Sequence, residues 1–163
     1  LKEGKKRVIG ISWHSNSRLT GGRWRNLQLL EFAQALQLPE VQLISLQYGN
    51  FDTDIQRLER EQGLEVKQFV EIDNKDDLDG LSTLISVCDQ VVSIDNATVH
   101  LAGALGIETK VLLPFSSAGR WGVNQTRSYW YEPLSLYRQT NFGDWQEVLS
   151  AIKKDLITEF SLS

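Results

Sequence analysis

Short apolar, β-branched runs alternate with amphipathic segments along the whole chain, and this alternation constrains the fold more than any other feature. The first run is Val8 to Trp13, a buried strand by its character. A polar stretch, His14 to Arg25, follows, and Asn26 stands as the N-cap of a helix with Leu27, Leu30, Ala33 and Leu36 on one face, stopped by Pro39. Val41 to Leu46 reads as a second strand, 53–62 as a polar helix closed by Gly63, and Val66 to Ile72 as a third strand. An acidic turn, Asp73 to Asp79, leads into a helix from about Leu81 to Cys88. Strands at Gln90–Ile94 and Thr109–Leu113 flank a helix from Ala97 to Leu105. A long connection from Phe115 to Pro133, a short sixth strand at Leu134–Arg138 and a helix from Asp144 to about Ile157 complete the series. Such alternation predicts one α/β domain over 1–163: a doubly wound, mostly parallel six-stranded sheet with helices on both faces.

Ligands of doubly wound sheets lie beyond the carboxyl ends of the strands, where the strand order reverses. For the order 3-2-1-4-5-6 that point lies between the first and fourth strands, so the loops 14–25 and 95–100 would face each other. At Asp95-Asn96-Ala97-Thr98-Val99-His100 a helix opens with small residues behind a good cap, Asn96. Free N–H groups there favour a phosphate or carboxylate, with Thr98 and His100 near the same end. The alternatives are that Asp95 and Asn96 only cap the helix and that His100 packs on the sheet. Gly21-Gly22-Arg23-Trp24-Arg25 offers two guanidinium forks suited to phosphate, or else a solvated basic loop. The connection 115–133 carries Arg120, Trp121, Arg127 and Trp130; nineteen residues are long for a plain loop, although its own aromatics could pin it.

Several functions are disfavoured. The net charge of −4 and pI near 5.2 argue against general nucleic-acid binding. G-x-G-x-x-G, P-loop and G-x-S-x-G patterns are absent, which speaks against hydride transfer, P-loop and hydrolase chemistry. His14 and His100, far apart and without ligand spacing, give no metal site. The single Cys88 reads as a core residue and fits a reducing, cytoplasmic location. No apolar run approaches a membrane span. Without any Met, and opening Leu1-Lys2-Glu3-Gly4, the chain is expected to be an excised piece of a longer protein.

The segment Ser93 to Gly106 resembles the nucleotide-sugar segment of glycosyltransferase family 9, the heptosyltransferase-like enzymes, including those attached to bacterial tetratricopeptide-repeat proteins. Gly10 to Trp13, Ser45 to Gly49, Leu112 to Phe115, Arg120-Trp121-Gly122 and Trp130-Tyr131 agree with it in order. The resemblance implies the Rossmann-like C-terminal half of a GT-B fold, a donor-binding domain for a nucleoside diphosphate sugar that needs neither metal nor cofactor. It implies that Arg25 contacts the donor phosphate and that Asp95, Asn96, Ala97 and His100 stand in the segment wrapping the diphosphate and sugar, with Arg23, Thr98 and Arg120 as further candidate substrate-binding residues. Gln47 and Tyr48 would lie near the nucleoside. Ser12, Trp13 and His14 would line the floor, His14 standing where relatives often carry Arg or Lys. The acceptor domain, which in that family supplies the base, would lie outside this chain, so no catalytic residue is assigned. The alternative is a non-catalytic α/β interaction module. A sugar-nucleotide epimerase is disfavoured because its carboxylate and histidine signatures are missing.

Overall fold

In a computed structural model, residues 6–17 and 22–161 are described, apart from the side chains of 22 and 23. Six strands, β1 (Arg7–Ser12), β2 (Val41–Ser45), β3 (Val66–Lys67), β4 (Gln90–Ile94), β5 (Thr109–Leu113) and β6 (Leu134–Arg138), form one sheet in the order β3-β2-β1-β4-β5-β6. Every strand pair is parallel. Helices α1 (Leu29–Leu36), α2 (Asp52–Gln62), α3 (Leu78–Ser86), α4 (Ala97–Ala104) and α5 (Gln146–Ser161) cover both faces. The chain therefore has the Rossmann-like α/β arrangement that the alternation predicts, with its reversal between β1 and β4.

Both faces of the sheet are dry, which is why β1 alternates between two hydrophobic layers. Ile9 and Ile11 join the layer under α1, α2 and α5, while Val8 joins the one under α3 and α4. Gly10 sits where a Cβ would lie 2.5 Å from Leu46 Cδ1, so only glycine lets β1 carry that packing. Helix α5 is drawn onto the sheet by a buried cation as well as by its apolar stripe. Lys110 Nζ donates to Glu159 Oε1 (2.7 Å), Gln90 Nε2 donates to Glu159 Oε2 (2.7 Å), and the Tyr137 hydroxyl donates to Asp155 (2.7 Å). The end of α5 thus lies over the beginnings of β4 and β5. There Phe160 also meets the Arg7 guanidinium, 5.6 Å from its ring centre.

Several boundaries move for tertiary reasons. Asn26 does not cap α1: its Oδ1 accepts from Ser15 N (2.8 Å), closing the loop after β1, and α1 begins three residues later. A 3-10 turn, Gly22–Arg25, fills the space before it. β3 ends at Lys67 rather than Ile72, because the chain leaves the sheet in a turn in which Ile72 N donates to Phe69 O (3.1 Å). α3 starts at Leu78, earlier than expected, since Asp77 caps it by accepting from Gly80 N (2.8 Å). α5 runs two residues later at its start and four further at its end than the apolar pattern suggests. Among the described residues no helix is long and apolar enough to cross a membrane.

Candidate functional site

Polar residues at the ends of apolar strands mark the place. Ser12 and Ser93 are paired in register at the ends of β1 and β4, and both are fully buried. The Ser12 hydroxyl donates to Gln47 Oε1 (3.1 Å) and accepts from Asn96 Nδ2 (2.8 Å). Gln47 Oε1 also accepts from Trp13 N and His14 N, each at 2.9 Å, while its Nε2 donates to the carbonyls of His14 (3.0 Å) and Tyr48 (2.8 Å). Asn96 Oδ1 caps α4 by accepting from Thr98 N (3.0 Å). The ends of β1, β2 and β4 are stitched by three side chains, and the network is filled from within.

Above this floor opens a cleft of about 420 Å³, lined among others by Ser15, Arg25, Tyr48, Lys75, Asp95, Ala97, His100 and Arg120. Arg25 is only 2% exposed. It spans the cleft wall: Nη1 donates to the Asp95 carbonyl (2.6 Å), Nη2 to Ser15 Oγ (2.7 Å), and Nε is buried with no partner. Burial pushes its pKa down, and the Asp95 carboxylate partly restores it. The solvated-loop reading of Arg25 is thereby excluded. Asp95 does not cap α4; its buried carboxylate faces Arg120 Nη2 at 3.4 and 3.5 Å. The first turn of α4, with Ala97 exposed, opens on the cleft and brings N–H groups that lack helical partners. His100 lines the cleft, and its ring contacts are not with the sheet but with the connection before β6: it stacks on Trp121 (5.4 Å between centres) with Tyr131 edge-on (5.8 Å). Burial and the Arg120 cation hold its pKa below the usual value, against the pull of Asp95. Three cations, Arg25, Lys75 and Arg120, and one carboxylate, Asp95, line the cleft in a chain whose net charge is −4, with Lys75 also 4.0 Å from the carboxylate of Asp76.

Not every expected residue meets here. Trp13 and His14 line a separate groove of about 530 Å³ between α1 and α2, where Phe51 packs against both rings. Ser12 and Gln47 are spent on the floor network, and Thr98 is buried. The Arg23 side chain lies outside the described residues. Gln47 and Tyr48 border a third cleft of about 560 Å³, which shares Tyr48, Asn74 and Lys75 with the cationic one. Ser15, Asn74 and Lys75 were not anticipated. Asn74 Nδ2 donates to the carbonyls of Ser45 (3.3 Å) and Gln47 (3.2 Å), and its Oδ1 is buried without a partner. Both residues stand in the acidic run 73–79, whose charge conceals them. Among the described residues no group of three or more His, Cys, Asp or Glu side chains could hold a metal ion.

No protein-family model matches the chain. Among curated proteins, Protein FlbA of Caulobacter vibrioides is 32% identical over 146 residues, which make up 88% of this chain and 24% of that protein. The chain thus spans about a quarter of that relative's length. The resemblance to glycosyltransferase family 9 is overturned by these findings: no family matches, and the relative's name is not that of a glycosyltransferase. The geometry accounts for the look-alike segment in another way. Asn96 caps α4 and braces Ser12, and Gly103 leaves room for Tyr131, whose Cγ would lie 2.6 Å from an added Cβ. A tight strand-to-helix turn needs such residues whatever the crevice holds.

Proposed function

We propose that the chain binds a nucleoside diphosphate sugar and serves as the donor side of a metal-independent glycosyl transfer. The observation that carries the reading is the cationic cleft of an acidic chain, built at the sheet's reversal around a buried arginine and the start of α4. Loss of a sugar from a nucleoside diphosphate concentrates negative charge on the departing diphosphate. Fixed cations and a helix N-terminus stabilise that charge without a metal ion. Arg120, Lys75 and the α4 N–H groups are placed to do so, while Arg25 holds the wall and adds its charge. The adjoining cleft beyond Tyr48 has room for the nucleoside, with Asn74 at the junction. His100, kept neutral, can accept or donate one hydrogen bond to the sugar or to the phosphate that carries it. In this reading the acceptor and its base come from a further domain. The location it carries is a reducing compartment, the cytoplasm, and the free buried Cys88 agrees with that.

One observation favours the second reading, an interaction module: Phe115, Val123, Tyr129 and Trp130, all on the connection before β6, are each more than half exposed. Calorimetric titration with UDP, GDP, ADP and CMP, with and without Mg²⁺, separates the two. The transferase reading expects binding of one nucleotide without metal, weakened at least about tenfold in Arg120→Gln, a change of about 1.4 kcal/mol. Silence from the folded protein with all four at millimolar concentration overturns it.

A further inference from the structure

The two arginines of the cleft are held in different ways. Both Nη groups of Arg25 are engaged by fixed internal partners, and the residue is almost wholly buried, so it stays put with or without a ligand. Arg120 is 39% exposed in its side chain and reaches Asp95 through one nitrogen only, at 3.4 and 3.5 Å, beyond good charge-assisted bonding distance. Its backbone, in contrast, is anchored. The Arg120 carbonyl accepts from Trp130 Nε1 (3.2 Å), the next residue, Trp121, is buried, and Arg138 Nη2 fixes the Gly122 carbonyl (2.9 Å). A part-exposed guanidinium on a fixed base, 5.9 Å from the Trp121 ring centre and loosely paired to a buried carboxylate inside a cationic cleft, is arranged for exchange.

We infer that Asp95 is the resting counter-ion of Arg120, and that this pair makes the cleft select ligands carrying two adjacent anionic groups over ligands carrying one. The inference rests on the reading that the cleft takes a diphosphate. An anion that draws Arg120 to itself uncovers the Asp95 carboxylate, buried and fixed through its own carbonyl to Arg25. For a single phosphate the attraction gained from Arg120 is opposed by repulsion from the uncovered carboxylate. A diphosphate can engage Arg120 with one phosphoryl group and the start of α4, with Lys75, through the other. It therefore gains more than the uncovered charge costs.

The experiment is calorimetric titration of inorganic phosphate and of pyrophosphate, both free of Mg²⁺, into the wild type, Asp95→Asn and Arg120→Gln. Circular dichroism checks the fold of each variant. Asn is the size of Asp, and the Asp95 carbonyl that holds Arg25 is untouched by the change. The wild type is expected to prefer pyrophosphate by about tenfold or more, and Asp95→Asn to tighten phosphate about tenfold and narrow the preference. Arg120→Gln, at an exposed position, narrows it from the other side by weakening pyrophosphate. Pyrophosphate binding by the wild type with an unchanged preference in both variants, or weaker phosphate binding in Asp95→Asn, overturns the inference and leaves the donor-site reading standing. Failure of the wild type and both variants to bind either anion removes both.

Discussion

Replacing Gln47 by Leu tests whether this side chain is a structural clasp or a ligand contact. Five hydrogen bonds pass through it, and it is 5% exposed. Leucine keeps the bulk but leaves the N–H groups of Trp13 and His14 without acceptors and two carbonyls without their donor. An orphaned buried N–H costs roughly 1–3 kcal/mol. His14 N is only partly screened, and the added apolar burial offsets part of the total, so a net loss of about 3 kcal/mol is expected. That is a large share of a typical stability of roughly 5–15 kcal/mol, and it corresponds to a fall of roughly 6–12 °C in Tm at this size. Urea unfolding followed by circular dichroism reads it directly. Gln47→Glu is the informative companion. One carboxylate oxygen keeps the three acceptor contacts while the other meets the carbonyls of His14 and Tyr48. It is therefore destabilised at neutral pH and recovers part of the loss in acid, where a protonated carboxyl can donate again. A Gln47→Leu protein within about 1 kcal/mol of the wild type would refute the clasp.

Two further outcomes follow from the same geometry. Gly10→Ala forces a Cβ to 2.5 Å from Leu46 Cδ1 and 2.9 Å from Cys88 Sγ in a fully buried strand, so it should cost roughly 1–3 kcal/mol in chemical denaturation; a neutral result would show that β1 can shift. For His100, NMR titration should find a midpoint below the ordinary 6.5, raised by Arg120→Gln, which removes a facing cation, and raised again by pyrophosphate. The sign for stability follows from the same shift. Near pH 6 the unfolded chain binds more protons at this ring than the folded one, so its contribution is lost as pH falls through 6.5 toward the folded midpoint. An unmoved midpoint in pyrophosphate would put the anion elsewhere.

What the sequence discloses depends on how local the deciding physics is. β1, β4 and β5 are legible because strands buried on both faces read as largely apolar runs, and the edge strand β6 because its buried Leu134 and Leu136 alternate with less buried neighbours. α1 is misplaced at its start because Asn26 has two possible uses, and the choice between them rests with Ser15, eleven residues away. Arg25 shows the same limit more sharply. A basic residue in a Gly-rich stretch looks solvated until Asp95, seventy residues on, supplies the carbonyl that lets it be buried. Lys110 would weaken any reading of β5 as a fully buried strand, yet Glu159 makes its burial tolerable. In the cleft, the segment opening α4 announces itself through its cap and small residues. Asn74 and Lys75 do not, because nothing in the acidic run says which of its side chains turn inward.

The meeting of Phe160 with Arg7 has a consequence for anything joined to this domain. The path enters β1 and leaves α5 at one corner, on the edge where the strands begin, whereas the cationic cleft opens on the edge where they end. Polypeptide attached at either side would start out from the same spot, about the length of a five-residue strand, roughly 16 Å, from the mouth of the cleft. Two segments joined there would leave side by side, from the edge of the sheet opposite the cleft.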